Sequence, residues 1–347
     1  MREWILVVVA GCYSSSYHAG SPCDDTHPCP NGLVCSDASQ TCELTNSSAL
    51  DAAADSPSLI DGCTPVPEIC GDGIDQDCDG NDPPCPSNDK AAGAIDLGAG
   101  GTFTMDIQYA TNDASKPNGQ APFCGGPGGR DVYYKIHLDA DEAIYLDTFG
   151  SDFDSVIRVF HGACADGVPP TGGTVCHNDA CGGKQTQAIW ELGAGDNCVV
   201  VDQFNDSETA GALTLHVERG HRSGLPINLG TALTGDTSTG TDQSSAGCVH
   251  TGPDLGYHFT ACPGESLAIT ATTCNATLTF DSALYARQGN ATAGAALSCN
   301  DDDANCSARG DASTISFTAQ DAHLFWIIVD AGSDNVSGMF ELDTSIQ

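Results

Sequence analysis

The run Asp75-Gln76-Asp77-Cys78-Asp79-Gly80 sets three carboxylates at alternate positions and ends on a glycine. Alternate side chains of such a loop point inward together, and hard carboxylate oxygens suit calcium, which takes about six to eight oxygen ligands. The spacing is that of the first half of a calcium loop, with glycine where the chain must turn sharply. A bidentate Glu normally closes such a loop, but Pro86 stands at that position. Asp72 and Asp82 flank the run, and Cys70, Cys78 and Cys85 lie where disulfides could replace the usual supporting helices. The candidate metal ligands are therefore Asp72, Asp75, Asp77, Asp79 and Asp82, and the expected ion is calcium. The alternative is an acidic turn held by disulfides alone. Copper is poorly served, because there is no His between 28 and 136 and no Met in the motif.

A second acidic set recurs later: Asp154, Asp179 and Asp202, then Asp281, Asp301, Asp302, Asp303 and Asp330. Asp at strand ends either caps turns or coordinates calcium, and turn capping is the ordinary role. Asn300-Asp301-Asp302-Asp303 stands apart, since adjacent carboxylates repel unless a cation or open solvent separates them. No arrangement expected of an enzyme is found: no His-Glu-x-x-His, no Gly-x-Ser-x-Gly, no glycine-rich phosphate loop. The ten His show no metal-ligand spacing. A non-catalytic protein is expected.

With 11 basic and 47 acidic residues, 38 of them Asp, the chain carries a net charge of −36. Binding a polyanion needs clustered Lys and Arg, so nucleic acid is not an expected partner.

The positioning elements begin with the cysteines. Met1-Arg2-Glu3 precedes a short apolar run, Trp4 to Ala10, too short to span a bilayer. Beyond Cys12, 18 cysteines remain and fall in groups: Cys23, Cys29, Cys35 and Cys42; Cys63, Cys70, Cys78 and Cys85; five in 95–218; five in 225–347. Grouped, even cysteines in an exported chain read as disulfides. Connectivity within each group of four stays open. Cys176-x4-Cys181 reads as a local disulfide, and Cys299 and Cys306 hold the same place further on. Two groups of five leave either one bridge between them or one free thiol in each, with Cys124 and Cys248 the candidates.

From residue 95 the chain repeats itself. Asp131-Val132-Tyr133-Tyr134 matches Asp254-Leu255-Gly256-Tyr257, and Phe153-Asp154-Ser155 matches Phe280-Asp281-Ser282. Cys176-His177-Asn178-Asp179 matches Cys299-Asn300-Asp301-Asp302, and Val200-Val201-Asp202 matches Ile328-Val329-Asp330. Period-two alternation, as at Leu213, Leu215 and Val217, marks half-buried strands. Leu324–Asp330 is continuously apolar and reads as a central strand. Seven or eight such segments per copy predict a mostly β chain with two tandem antiparallel β-sandwich, jelly-roll-like domains, preceded by small disulfide-rich modules. The expected organisation is a signal peptide (1–11), a tether (12–22), a small disulfide module (23–42), a linker (43–62), the Asp/Cys module (63–86) and sandwiches over 95–219 and 225–347.

Several stretches resemble known families. Val9-Ala10-Gly11-Cys12 resembles the bacterial lipobox, which implies a diacylglyceryl anchor on Cys12. Cys29-Pro30-Asn31-Gly32-Leu33-Val34-Cys35 resembles small growth-factor-like cysteine modules of exported bacterial proteins. Glu68-Ile69-Cys70-Gly71-Asp72-Gly73-Ile74-Asp75-Gln76-Asp77-Cys78-Asp79-Gly80 resembles the Cys/Asp metal-binding repeat of such proteins. The order Asp-Val-Tyr-Tyr, Phe-Asp-Ser, Cys-x-Asn-Asp, Val-Val-Asp resembles the pre-peptidase C-terminal family over both copies. That family implies jelly-roll accessory modules that bind matrix or polysaccharide and are not catalytic; no peptidase domain accompanies them in this sequence. The expected protein is an exported, calcium-stabilised lipoprotein of the cell envelope, at the outer membrane or cell surface. It would hold the membrane through Cys12 and bind a polysaccharide or an envelope or matrix protein. An accessory subunit of a secreted hydrolase and a calcium or copper capture protein are the alternatives. Cys12→Ser should move the protein from the membrane to the soluble fraction; detergent partitioning equal to wild type would remove the anchor.

Overall fold

The computed structural model describes residues 23, 29, 33–35, 40–44, 66, 68–114, 129–166, 175–205, 211–307 and 309–347. Cys12, Cys63, Cys124, the signal segment, the tether and the linker beyond Leu44 lie outside them; Glu43 and Leu44 belong to the small disulfide module instead. Two units are distinct, 1–60 and 61–347.

In the first unit, β1 (Leu33–Cys35) pairs antiparallel with β2 (Cys42–Leu44), Cys35 opposite Cys42. The disulfides Cys23–Cys35 and Cys29–Cys42 tie this hairpin to the chain before it. So short a module has little core, and its bridges must supply its stability.

The second unit carries two β-sandwiches of the same topology. The first contains β3 (Ile95–Asp96), β4 (Gly101–Asp106), β5 (Asp131–Leu138), β6 (Glu142–Asp147), β7 (Ser155–His161), β8 (Val175–Asn178), β9 (Gln187–Leu192), β10 (Gly195–Gln203) and β11 (Ala212–Arg219). Its sheets run β3-β5-β10-β7-β8 and β4-β11-β6-β9. The second contains β12 (Leu225–Pro226), β13 (Ala232–Asp236), β14 (Leu255–Thr260), β15 (Ser266–Thr272), β16 (Ser282–Gln288), β17 (Ala295–Asn300), β18 (Thr314–Gln320), β19 (Leu324–Ala331) and β20 (Met339–Ile346). Its sheets run β12-β14-β19-β16-β17 and β13-β20-β15-β18, strand for strand the same order. Pairing is antiparallel except where the short edge strands β3 and β12 lie parallel to β5 and β14. Nine strands per sandwich among the described residues exceed the seven or eight expected, because two-residue edge strands leave no periodic signal.

Alternation decides which side chains enter each core. Leu213, Leu215 and Val217 of β11 point inward with Ile144 and Leu146 of β6, and Phe325, Ile327 and Val329 of β19 fill the second core. Several strands break the rule, and two of them, β6 and β19, are buried on both faces along their whole length. Their outward residues, Ala143 and Tyr145 on β6 and Leu324, Trp326 and Ile328 on β19, form a third apolar cluster with Tyr285 and Ala291. The sandwiches therefore share an interior. Trp326, wholly buried, lies at its centre and donates from Nε1 to Gly289 O at 2.8 Å. The connecting segment is glycine where it crosses the ring: a Cβ at Gly220 or Gly224 would come within 2.6 Å of Trp326.

The disulfides correct part of the expected framework. Cys176 and Cys181 are not joined to each other, nor are Cys299 and Cys306. Instead Cys181 bridges to Cys262, Cys248 to Cys299 and Cys274 to Cys306, while Cys164 joins Cys198 and Cys70 joins Cys85. Cys78 and Cys176 are disulfide-bonded too. Asp179 and Cys181 both take left-handed backbone (φ 48° and 56°), which turns the chain away from β8. Cys181 then meets the turn after β14, so the bridge between sandwiches is Cys181–Cys262 and does not involve Cys248. So dense a set of disulfides places the chain in an oxidising, extracytoplasmic environment. Among the described residues no helix is long and apolar enough to cross a membrane.

Trp326→Ala is expected to destabilise the second unit by about 3–5 kcal/mol, the usual cost of emptying a large aromatic site. Removing the Cys181–Cys262 bridge frees the unfolded chain across a sequence separation of 81 and should cost about 2–5 kcal/mol. Denaturant unfolding measures both variants; a loss below about 1 kcal/mol in Trp326→Ala would show that the interface is weak.

Candidate metal centres

Residues 66–87 bury only one described side chain, Cys70. Hydrogen bonds to carboxylates and the Cys70–Cys85 bridge take the place of a core. Asp75 accepts from Asp79 N at 3.0 Å and Gly80 N at 2.8 Å, which closes the loop around it. Gly80 has φ 93°, open to glycine and strained for other residues. Asp82 receives Gly71 N at 2.7 Å and Gly73 N at 2.6 Å, one on each oxygen. Asp72 receives Ile74 N and Gln76 Nε2, and Asp79 receives Asn81 N, all between 2.7 and 2.8 Å. Asp72, Asp79 and Asp82 therefore act as turn caps here.

Asp75 and Asp77 come together with a third carboxylate absent from the expected set. Oxygens of Glu68, Asp75 and Asp77 lie within 4.8 Å of one another, half-buried, in an arrangement that could hold a metal ion. Glu68 also accepts from Asp77 N at 3.2 Å, which ties it to the loop. Its distance along the chain hid it, although it opens the same Cys/Asp motif. Three hard oxygens and no nitrogen or free thiol suit calcium or magnesium better than a softer ion. Asn88 fastens the module to sandwich 1, its backbone O accepting from Tyr133 N and its Nδ2 donating to Tyr133 O, each at 2.9 Å.

The second acidic set divides three ways. Asp281, Asp301 and Asp302 bring oxygens within 4.8 Å of one another at the end of sandwich 2. Oδ1 of Asp281 and of Asp301 are buried with no hydrogen-bond partner. A Cβ at Gly332 would lie 2.4 Å from each of them, so only glycine leaves this space open. Burial and the neighbouring charges of Asp281 and Asp302 raise the Asp301 pKa. The matching positions in sandwich 1 hold Asp154 and Asn178, again with buried Oδ1 atoms but with one carboxylate fewer. Asp179 is exposed on its left-handed turn. Asp303 caps its turn: hydrogen bonds from Thr314 and from Asn305 N, the latter at 2.9 Å, hold its pKa below the usual range.

Asp202 and Asp330 belong to buried networks that repeat between the sandwiches. In the first, Asp131 receives Asp113 N at 2.9 Å and Ala114 N at 3.0 Å, while Arg158 pairs with Asp202. In the second, Asp254 receives Gln243 N and Ser244 N at 2.8 Å, and Arg222 from the connecting segment pairs with Asp254. Tyr285 takes the place of Arg158, its hydroxyl 3.3 Å from Asp330. Each network thus buries two carboxylates against one guanidinium. Burial first, then the charge of Asp202, pushes the Asp131 pKa up to about 7; burial and Asp254 do the same for Asp330.

No protein-family model matches the chain, and no curated protein matches it. Among solved structures it is similar to the pre-peptidase C-terminal domain of a collagenase from Bacillus anthracis. Identity there is 12%, over 40% of this chain and 100% of that one, with a TM-score of 0.25. The tail fibre protein gp63.1 of an E. coli phage is 11% identical over 73% of this chain and 41% of its own, TM-score 0.25. The CUB1-EGF-CUB2 segment of human MASP-1/3 is 10% identical over 71% of this chain and 99% of its own, TM-score 0.17.

Asp131 and Asp330 have folded pKa values near 7 against 3.8 for the ordinary side chain. Between those values the folded state binds more protons than the unfolded one, so stability falls as pH rises from about 4 to about 7. Asp131→Asn keeps the acceptor for Asp113 N and Ala114 N without the charge. Thermal melts in chelator from pH 5 to 8 should show a shallower decline in Asp131→Asn than in wild type; equal slopes would remove Asp131 from the account.

Proposed function

We propose that the protein is a non-catalytic, calcium-stabilised lipoprotein of the cell envelope, anchored through Cys12, whose sandwiches present a binding surface outward. The observation that carries this reading is the convergence of Glu68, Asp75 and Asp77 in a segment without an apolar core. Like charges gathered on so light a scaffold repel one another, and a hard cation both relieves the repulsion and orders the loop. The Asp281–Asp301–Asp302 cluster is a second place for the same ion, with two buried oxygens that lack donors. Calcium in this reading is a structural cofactor that fixes the modules.

The ligand follows from charge more than from fold, because a sandwich does not dictate what its loops bind. A chain of net charge −36 repels polyanions, so neutral polysaccharides and basic faces of matrix or envelope proteins are the favoured partners.

In the full-length protein, millimolar calcium should raise the melting temperature, and Asp77→Ala should reduce that rise without altering the melt in chelator. With the loop closed by no downstream Glu, affinity should fall at roughly 10⁻⁴–10⁻³ M. An array of neutral glycans and basic matrix proteins, probed in calcium and in chelator, then reads the ligand. A melting temperature indifferent to calcium would overturn the calcium-stabilised reading; a calcium-stable protein that retains nothing on the array would overturn the binding role.

A further inference from the structure

The sandwiches meet along an apolar interior, but beside it lies a cleft of about 390 Å³ whose walls come from both. That volume is typical of a small-ligand pocket, about 300–1,000 Å³. Sandwich 1 supplies Asp147 from the end of β6, Phe149 just beyond it, and His216 and Glu218 from β11. Sandwich 2 supplies Pro263, and Asp321, Ala322 and His323 from the turn between β18 and β19. Among the described residues no Lys or Arg lines the cleft.

The polar groups of this lining are nearly all acceptors. Ionised Asp147, Glu218 and Asp321 can only accept. Asp147 takes the Tyr145 hydroxyl at 2.7 Å and Phe149 N at 2.8 Å, so the phenol spends its proton inside the wall. His216 Nδ1 lies 2.9 Å from Asp147 Oδ1. His323 Nδ1 is bonded to Glu218 Oε1, and the other oxygen of that carboxylate accepts from Leu324 N at 2.8 Å. A carboxylate on Nδ1 keeps the ring proton there, so Nε2 of each ring carries a lone pair. Asp321 accepts from Gly264 N at 2.9 Å on Oδ1, which leaves Oδ2 for another donor. Only Thr102 adds a hydroxyl that could donate. The side chains of His216, His323 and Glu218 are 39%, 37% and 25% exposed, so a solute can reach them.

A lining that accepts calls for a ligand that donates. We propose that this cleft receives the side chain of a lysine on a protein partner. An ammonium offers three donors and no acceptor. Its aliphatic stem would lie on Phe149, Pro263 and Ala322, as lysine stems do along apolar surface. Three carboxylates with no fixed cation among them attract positive charge and repel an anionic ligand. A neutral sugar would find acceptors for its hydroxyl protons but few donors for its oxygens. The inference rests on the reading above that basic protein faces are partners, and it gives them a place on the molecule.

The full chain is titrated at low salt with a capped Gly-Lys-Gly peptide, the imidazole proton signals of His216 and His323 serving as reporters. Both should shift saturably, while His137, 2.7 Å from Asp196 and outside the cleft, should not. The norleucine peptide, a stem without the ammonium, should move none of them. Added salt should weaken binding, because the charges are partly exposed. Asp321→Asn keeps the acceptor for Gly264 N and suits the left-handed backbone at 321 (φ 63°). It should weaken binding about two- to fivefold, the size of an exposed ion pair. Phe149→Ala should weaken it through the stem. Norleucine binding equal to lysine, indifference to salt, or unchanged affinity in Asp321→Asn would overturn the proposal. A free diamine that shifts the reporters when the peptide does not would overturn the protein source. On an array of basic proteins and neutral glycans, Asp321→Asn should retain less of the former and as much of the latter. Basic proteins held equally by wild type and variant would overturn the cleft and leave the partner class standing; none held by wild type would remove the partner class itself.

Discussion

The second unit depends on the burial of one strand's outer face. In an ordinary antiparallel sandwich a strand shows one side to the core and the other to water. Here β19 offers Leu324, Trp326 and Ile328 outward, and sandwich 1 covers them with Ala143 and Tyr145 of β6. Exposed, such a patch would be an aggregation hazard; covered, it joins the sandwiches through a continuous apolar layer. Much else follows from that contact. The connecting segment needs glycine at 220 and 224 to pass Trp326. Cys181 and Cys262 come within bonding distance. Gln187 Nε2 can donate to Thr260 Oγ1 at 2.7 Å, and His258 Nε2 lies 2.7 Å from Glu191, close enough for an ion pair though off the hydrogen-bond direction.

The acidic composition has no single explanation, because the carboxylates meet different fates. Many cap turns, where a short side chain reaches a backbone N–H two residues on, as at Asp72, Asp79 and Asp303. A few are buried in pairs against one guanidinium, which leaves one carboxyl of each pair titrating near neutrality. Where three converge, as at Glu68–Asp75–Asp77 and Asp281–Asp301–Asp302, the arrangement could hold a cation. The two groups differ in hydrogen-bond supply: backbone N–H groups serve the carboxylates of the first, while Asp281 Oδ1 and Asp301 Oδ1 of the second are buried without a donor.

Duplication makes the same comparison from inside the molecule. Both sandwiches keep a buried Asp pair, with two backbone N–H groups on the first member, yet the balancing Arg comes from β7 in one and from the connecting segment in the other. The position of the Asp pair is thus a property of the fold, while its neutralisation is local. The ion-shaped end of each sandwich shows the converse. Asp301 in one copy is Asn178 in the other, so the oxygen survives and the charge does not.

Strand content, the two copies and the exported, disulfide-bonded character were legible in the chain, because alternation, repeat and cysteine grouping are local or periodic signals. The loop at Asp75 and Asp77 was legible for the same reason, its carboxylates lying two residues apart. Glu68 was not, since only the fold of a disulfide loop carries it back to Asp77. Nor were the bridges: Cys176 and Cys181 are neighbours in sequence, but a left-handed turn sends Cys181 to the other sandwich. The continuous apolar run of β19 read as a central strand, without naming what covers its outer face. That cover arises from packing between β6 and β19, far apart in the sequence, which tertiary structure alone brings together.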